Sequence, residues 1–249
     1  MIDLRCGDCL ELMKDIPDKS IDMILCDLPF QCTENKWDKQ LPLTELWEQY
    51  ERIIKENGAI VLFGIEPFSS LLRYSNLKMY KYDWVWIKNR ATGFLEAKNK
   101  PMRKHENILI FSKGASSNGC KNRITYNPQG LIEANRYNSN TGSSNYGERK
   151  SRPKGKKVFS KYTNYPTTIL NYPKEKKSLH PTQKPVVLLE YLIKTYTNEG
   201  ETVLDNCMGS GSTGIACINT NRNFIGIELD ENYFNIAKER IENAKFNNL

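Results

Sequence analysis

The stretch LDNCMGSGSTGIAC, residues 204–217, decides how the rest of the chain is interpreted. It has the spacing G-x-G-x-x-G, with an apolar run before it and a helix-like run after it. That arrangement is typical of the first strand, turn and helix of a nucleotide-binding fold. Of the 249 residues, however, only 35 follow Gly214. A loop that usually opens a domain therefore comes near the end of this sequence.

Strand and helix patterns alternate on both sides of a long irregular segment. Apolar runs predict strands at 21–27, 59–64, 82–87, 107–111, 201–205 and 223–230. Helical spacing predicts helices at 43–58, 67–75, 185–200, 212–220 and 231–246. Repeated strand–helix–strand units predict an α/β fold, with a parallel sheet and helices on its faces. We divide the chain into 1–113, an insert at 114–178, and 179–249.

Positive charge is concentrated in the insert, 114–178. It holds thirteen Lys and Arg against three acids, a net +10, while the rest of the chain carries −3. The same segment is rich in Gly, Asn and Ser and contains six tyrosines. This asymmetry predicts a polyanionic partner.

Composition excludes several other classes. No apolar run approaches the length of a membrane span, and MIDLRCGDCLELMKD lacks the apolar core of a signal peptide, so we expect a cytoplasmic protein without a membrane partner. The seven cysteines are irregularly spaced apart from Cys6-Gly-Asp-Cys9. Because a structural zinc site needs a second ligand pair, we predict no metal and reduced cysteines.

Two acids follow predicted strands, where open α/β sheets bind ligands. Glu228 comes 19 residues after Gly209, the spacing of an acid that accepts ribose hydroxyls. Asp27 opens the sequence Asp27-Leu28-Pro29-Phe30, which combines a carboxylate with an aromatic ring. The carboxylate and the Leu28 carbonyl would accept two N–H groups of an exocyclic amine, and the ring would stack on a planar base.

Four motifs in order resemble one family. They are GDCLELMKDIPDKSIDMILCDLPF (7–30), its final DLPF, HPTQKP (180–185) and DNCMGSGSTG (205–214). Together they resemble the S-adenosylmethionine-dependent amino-methylating DNA methyltransferases of the beta group, over about 1–113 and 179–249. In that group the amino-transfer motif comes first and the cofactor loop last. The resemblance therefore implies a circularly permuted, Rossmann-like class I methyltransferase sheet, which explains the late glycine loop.

The resemblance assigns roles to particular residues. The family's Asp-Pro-Pro-Tyr motif falls on the catalytic residues Asp27, Leu28, Pro29 and Phe30, and the leading aspartate resembles adenine-N6 members. Cys207 replaces an aromatic residue of the family's cofactor loop. The residues predicted to bind the cofactor are Asp8, Cys9, Asp27, Thr182, Lys184, Asp205, Cys207, Gly209, Ser210, Gly211, Ser212, Thr213, Glu228 and Leu229.

The resemblance also implies double-stranded DNA as the partner and makes the basic insert a target-recognition region. Its densest run, 147–157, supplies the predicted DNA-binding residues Arg149, Lys150, Arg152, Lys154, Lys156 and Lys157. Arg and Lys side chains contact phosphates and guanine edges. Dimerisation is common in the family, but no residue of this sequence establishes a homodimer.

Several alternatives stay open at this point. A cytosine-N4 methyltransferase would use the same motifs, and a DNA-binding relative without catalysis would keep the basic insert. A nicotinamide-dependent oxidoreductase would use the glycine loop but leaves Asp27-Leu28-Pro29-Phe30 without a role. Methyltransferases of RNA or of protein glutamine carry the glycine loop first, which the motif order disfavours.

We expect DNA binding to fall steeply with salt, because each neutralised phosphate releases counterions. If six basic side chains of the insert contact phosphates, affinity should fall by roughly 10³-fold between about 50 and 200 mM salt. Fluorescence anisotropy with a DNA duplex measures this, and Lys150→Ala with Arg152→Ala should lower the slope by about two. Salt-independent binding over that range would contradict the assignment.

Overall fold

A computed structural model describes residues 1–30, 41–139, 157–174 and 183–247. The strands are β1 (Ile2–Cys6), β2 (Ile21–Cys26), β3 (Ile54–Gly64), β4 (Tyr80–Thr92), β5 (Arg103–Phe111), β6 (Ile132–Ser139), β7 (Lys157–Thr163), β8 (Ile169–Asn171), β9 (Thr202–Asp205) and β10 (Asn223–Glu228). The helices are α1 (Cys9–Leu12), α2 (Leu43–Ile53), α3 (Phe68–Ser75), α4 (Val186–Tyr196), α5 (Ser212–Asn219) and α6 (Glu231–Asn247).

Eight of these strands form one sheet in the order β1-β10-β9-β2-β3-β5-β4-β8. The first five strands of that order run parallel, whereas β5 is antiparallel to both β3 and β4. The sheet is therefore mostly parallel, as predicted, and β5 is the strand that departs from the predicted parallel arrangement. The cause is local: β4 and β5 follow each other as a hairpin, whereas parallel strands need a long crossover.

The sheet is buried on both faces. Met23 and Leu25 of β2 pack in one core cluster with α4, α5 and α6, and Ile24 and Cys26 pack in the other with α2 and α3. Successive side chains of a strand point to opposite faces, so a strand covered on both sides must be apolar throughout. The α/β prediction with helices on both faces is confirmed.

Strand pairing explains how motifs distant in the sequence meet. β9, which leads into the glycine loop, lies between β10 and β2, and β2 leads into Asp27. β1 pairs in parallel with β10, so the two halves predicted from the motif order share one sheet. The carboxyl ends of β1, β10, β9, β2 and β3 consequently lie along one edge, where ligands of open α/β sheets bind.

The predicted boundary between the helix at 43–58 and the strand at 59–64 was wrong. The helix predicted at 43–58 ends at Ile53, because Ile54 begins β3 by pairing with Ile21. Gly58 then lies so close to β2 that a Cβ there would approach the Asp22 carbonyl oxygen to 2.8 Å. The sequence patterns also missed β1 and the short edge strand β8.

The chain divides into two compact units, Met1–Asn127 with Thr168–Leu249, and Pro128–Thr167. The smaller unit falls within the predicted insert, 114–178. Its described part is an antiparallel pair of strands, β6 and β7, in a segment expected to be irregular. Tyr137 and Phe159 face each other across that pair, with ring centroids 5.3 Å apart. The assignment of this unit to target recognition stays a prediction.

Candidate active site

The glycine loop closes tightly over the carboxyl end of β9. Gly209 and Gly211 adopt φ of +51° and +77°, in the region that favours glycine. A Cβ on Gly211 would also lie 2.9 Å from the Ala237 Cβ of α6. Because α5 begins at the next residue, the loop presents the amino end of a helix at the sheet edge.

Glu228 at the end of β10 holds this loop in place. Its carboxylate accepts the Gly209 N–H at 2.8 Å through Oε2 and the Asp230 N–H at 2.9 Å through Oε1. Burial raises the pKa of Glu228, and these two backbone donors partly offset that increase. The acid predicted to accept ribose hydroxyls thus lies beside the predicted loop, and each oxygen has further lone pairs to offer.

Asp205, at the end of β9, braces the loop from inside. Its Oδ2 accepts the Thr213 hydroxyl at 2.6 Å, and its Oδ1 accepts the Cys207 N–H at 3.2 Å. Burial raises the pKa of Asp205 to about 7, against the opposing effect of the Thr213 and Cys207 hydrogen bonds. Both carboxylate oxygens of Asp205 therefore accept hydrogen bonds from the glycine loop and the first turn of α5. Asp205 thus stabilises the shape of the loop and does not point toward a ligand.

Cys207 lies where the resembling family carries an aromatic residue. Asn206 Nδ2 donates to both neighbouring sulfurs, at 3.6 Å to Cys9 Sγ and 3.5 Å to Cys207 Sγ. Tyr50 of α2 donates its hydroxyl to Asn206 Oδ1 at 2.6 Å and so fixes the amide. Tyr50 was not among the predicted residues, because its position in α2 looks like an ordinary core position. The thiols of Cys9 and Cys207 and the amide of Asn206 therefore lie where the resembling family has an aromatic ring.

Asp27 projects from the end of β2 into a second, charged part of the site. Lys184, directly before the proline that precedes α4, forms an ion pair with its Oδ2, and both side chains are largely buried. The Lys184 ammonium also lies 4.9 Å from the centroid of the Phe63 ring. Lys184 was predicted to lie near the cofactor, and the structure places it on the amino-transfer motif.

Glu106 and Lys88 complete a buried charge network around Lys184. Glu106 of β5 lies 3.5 Å from the Lys184 ammonium through Oε2, and 3.0 Å from the Lys88 ammonium of β4 through Oε1. Sequence analysis missed both residues. The available signal was periodicity, since Lys88 follows Trp84 and Trp86 at the two-residue spacing of one strand face.

The network leaves two acceptor atoms without a hydrogen bond. Among the described residues, the buried Asp27 Oδ1 and Glu106 Oε2 accept none. Burial raises the pKa of Asp27, although Lys184 opposes the increase. Glu106 differs, because Lys184 and Lys88 together overcome its burial and lower its pKa. Buried acceptors without partners are costly, so these oxygens mark a place where donors are missing.

Phe30, the aromatic residue of the motif, packs against α3. The Phe30 ring is half-buried, with its centroid 5.0 Å from that of Phe68 and the two planes tilted by 41°. Leu28 is buried, so its side chain contributes to the core. Asp8 caps α1 by accepting the Leu10 N–H at 2.8 Å.

Some of the remaining predicted residues lie within the described ranges, and the others lie outside them. Ser210 Oγ donates to Gln183 Oε1 at 3.3 Å, Ser212 begins α5, and Leu229 is exposed. Lys157 is exposed at the start of β7. The predicted residues outside the described ranges are Thr182, Arg149, Lys150, Arg152, Lys154 and Lys156.

In the part of the chain that the structure describes, no three His, Cys, Asp or Glu side chains are grouped so that they could hold a metal ion. In the same residues, none of the helices is long and apolar enough to pass through a membrane.

Comparison with known proteins identifies the family. A family model described as DNA methylase matches residues 21–239. The chain belongs to the DNA methylase family. The resemblance drawn from the four motifs is thereby confirmed, and the nicotinamide-dependent alternative is no longer needed. In this fold the glycine loop and Asp27 follow the adjacent strands β9 and β2, so they lie at the same edge of the sheet although they are far apart in the sequence.

Individual relatives agree with this assignment. The methylase is 27% identical to the type II methyltransferase M.HpaI of Haemophilus parainfluenzae, over 98% of this chain and 75% of the relative. It is 26% identical to the DNA adenine methyltransferase YhdJ of Escherichia coli, over 96% of this chain and 82% of the relative. Among solved structures, the M1.HpyAVI–SAM complex is 28% identical, with a TM-score of 0.65 and coverage of 96% and 100%.

The raised pKa of Asp205 predicts a pH-dependent stability. Because its folded pKa of about 7 exceeds the usual 3.8, the bound proton stabilises the fold at low pH, and this contribution is lost as pH rises to about 7. Asn cannot ionise but keeps an acceptor for Cys207. Relative to the wild type, Asp205→Asn should therefore gain stability between about pH 4 and 7, by a few kcal/mol at most. Urea denaturation measures this, and parallel pH curves would contradict it.

Proposed function

We propose that this methylase transfers a methyl group from S-adenosylmethionine to the exocyclic N6 of an adenine flipped out of double-stranded DNA. One observation carries the proposal. Asp27 directly follows β2, which pairs with the strand that leads into the glycine loop, and it keeps a buried oxygen, Oδ1, that accepts no hydrogen bond among the described residues. A carboxylate in that state suits an incoming N–H donor.

The residues around the glycine loop fit a nucleoside cofactor. Glu228 offers carboxylate lone pairs for ribose hydroxyls, and Gly209 and Gly211 leave room for close backbone approach. When bound, S-adenosylmethionine supplies an activated methyl group on a sulfonium. The other residues that the resemblance assigns to the cofactor are Asp8, Cys9, Asp27, Thr182, Lys184, Asp205, Cys207, Ser210, Ser212, Thr213 and Leu229. Among them, Asp205 would act by shaping the loop.

Asp27 and Leu28 would orient the nitrogen that accepts the methyl group. The lone pair of an exocyclic amine is delocalised into the ring, which makes the amine a poor nucleophile. Hydrogen bonds from its two N–H groups to the Asp27 carboxylate and the Leu28 carbonyl favour a more tetrahedral nitrogen. The Asp27 carboxylate also stabilises the positive charge that develops on this nitrogen during transfer.

Lys184 can stay on Asp27 Oδ2, because the target amine would donate to Oδ1, which accepts no hydrogen bond within the described residues. As the counterion, Lys184 favours the ionised form of the carboxylate. Glu106 lies on the other side of Lys184, with its Oε2 3.5 Å from the ammonium. We therefore assign Lys184 and Glu106 as positioning residues and Asp27 as the catalytic residue.

Phe30 would stack on the extruded base. Taking a base out of the duplex costs a few kcal/mol, and stacking on an aromatic ring returns about 1–3 kcal/mol. Pro29 stiffens the backbone between the carbonyl of Leu28 and this ring. The Phe30 ring is half-buried, which leaves part of it available for such a contact.

Adenine is the favoured base, because Asp27 opens the motif as in adenine-N6 members of the resembling group, and YhdJ carries that activity in its name. A structure named PvuII DNA methyltransferase, cytosine-N4-specific, shares the fold at 15% identity with a TM-score of 0.67. Cytosine-N4 transfer is therefore the second candidate. A catalytically silent DNA binder is the third.

The wider setting is also part of the proposal. The basic segment would contact DNA through Arg149, Lys150, Arg152, Lys154, Lys156 and Lys157. We propose a cytoplasmic location, where cysteines stay reduced. A homodimer is a further expectation from the resemblance, which sedimentation of the purified methylase would test.

Product analysis distinguishes the candidates. Purified methylase is incubated with S-adenosylmethionine and unmethylated genomic DNA, and the DNA is digested to nucleosides for mass spectrometry. N6-methyladenine supports the proposal, and sequencing of the modified sites gives the specificity. N4-methylcytosine would keep the mechanism and change the base. No methylated nucleoside, with cofactor binding intact by calorimetry, would favour the silent binder.

Replacing Asp27 should separate chemistry from cofactor binding. Asp27→Ala removes the acceptor for the target amine, so we expect transfer to be lost, while calorimetry still detects S-adenosylmethionine at the glycine loop. Asp18→Ala, an exposed carboxylate in a surface ion pair with Arg52, is the matched control and should keep wild-type turnover. Normal turnover in Asp27→Ala would overturn the catalytic assignment.

Replacing Lys184 should change the pH dependence of transfer. Burial raises the pKa of Asp27 and Lys184 lowers it, so Lys184→Met should raise it further. Because Asp27 must be ionised, the acidic limb of kcat/KM should move to higher pH. Lys184→Arg, which keeps the charge, should restore most of the profile. A uniform loss of activity with an unchanged profile would indicate a purely structural role.

A further inference from the structure

The hairpin formed by β4 and β5 ends in a fully exposed tip. Every residue from 92 to 105 is exposed, and the tip contains a single turn of 3₁₀ helix at Phe94–Glu96. Phe94 is 75% exposed and Leu95 is 86% exposed. Two adjacent large apolar side chains at a protruding turn gain nothing from the fold itself, and such exposure indicates a contact with another molecule.

Sheet register places this tip beyond the edge that carries Asp27. Cys26, just before Asp27, pairs with Leu62, which pairs with Leu109 of β5. Arg103 begins β5 six residues earlier and pairs with Thr92. At about 3.4 Å per residue, the paired part of the hairpin extends roughly 20 Å past the level of Cys26. The tip thus projects outward on the side from which a substrate reaches Asp27.

The charge around the tip is strongly positive. Between residues 90 and 104 a single acid, Glu96, stands against five basic residues, a net charge of +4: Arg90, Lys98, Lys100, Arg103 and Lys104. Glu96 itself is paired with Lys100. Apolar side chains flanked by cations match a duplex, which has phosphates outside and stacked bases within.

We propose that Phe94 and Leu95 form a wedge that enters the base stack of the duplex at the position vacated by the flipped base. This inference rests on the proposed function, because it assumes that the methylase extrudes its target base. Apolar side chains inserted between base steps hold a duplex open, and the flanking cations would grip the phosphates on either side. The hairpin would thus lower the cost of keeping the target base at Asp27.

The test uses a duplex bearing the site that sequencing of the methylated DNA identifies. Wild-type transfer to this duplex establishes the proposed function independently. In Phe94→Ala/Leu95→Ala, kcat/KM on the paired duplex should fall by roughly tenfold or more, since the side chains that hold the base step open are lost. On a duplex with the target adenine mispaired, which is easier to extrude, the deficit should shrink.

A matched control is available at the other edge of the sheet. Tyr74 and Leu77 are exposed apolar residues at and just beyond the end of α3, close to the start of β4. Tyr74→Ala/Leu77→Ala should leave transfer to both duplexes unchanged. With 2-aminopurine at the target position, the wedge variant should also show a smaller fluorescence increase on binding than the wild type.

Three results would overturn the wedge. Wild-type transfer by Phe94→Ala/Leu95→Ala on the paired duplex excludes it. An equal loss on paired and mispaired duplexes indicates a contact with the DNA backbone instead. A change in oligomeric state by light scattering, in the variant alone and without DNA, would make the tip a surface between copies of the chain. Circular dichroism and the single variants Phe94→Ala and Leu95→Ala guard against misfolding.

Discussion

The site depends on keeping an ionised carboxylate buried at the end of β2. Removing Asp27 from water is costly unless a cation accompanies it, and Lys184 supplies that cation. Lys184 in turn faces Glu106, and Glu106 faces Lys88. Two acids and two bases are therefore paired in this space, and Lys174 is a fifth charge near enough to lower the pKa of both acids. Four separate parts of the chain contribute the four paired charges, so the network exists only when the sheet is assembled.

Without DNA, the buried charges must be paired to keep the fold stable. With DNA, Asp27 must still be able to accept a hydrogen bond from the target base. A fully satisfied set of buried charges would resist a substrate, and an unsatisfied one would destabilise the fold. The arrangement lies between these extremes, because every charge has a counterion while one oxygen each of Asp27 and Glu106 accepts no hydrogen bond in the described structure. The open oxygen of Asp27 can accept a donor from the substrate while Lys184 stays as its counterion, so an amine can bind without leaving a charge alone.

Features set by local sequence could be predicted, and features set by pairing between distant strands could not. The glycine loop, Glu228 and Asp27 were predictable, because each follows a strand within a few residues and strand ends share one edge. Glu106, Lys88 and Tyr50 acquire their roles from pairing across the sheet or between elements, which local spacing does not encode. The boundary at Ile54 failed for the same reason: helical periodicity continued past it, but pairing with Ile21 prevailed. The β4–β5 hairpin likewise follows from pairing, whereas the two strands looked like members of a parallel sheet.

That hairpin connects the charged site to the exposed tip, with a shift of register between Ile87 and Thr92. Its root is held by Trp84 and Trp86, which are buried in the core and donate their indole N–H groups to the Tyr196 hydroxyl at 2.7 Å and the Tyr172 carbonyl at 2.8 Å. Glu106 pairs with Trp86 in the same ladder. A group that must act at a fixed distance from Asp27 is best carried by a rigid element anchored beside it. The strands that position Glu106 also lead to Phe94 and Leu95, so the charged network and the proposed wedge share one pair of strands.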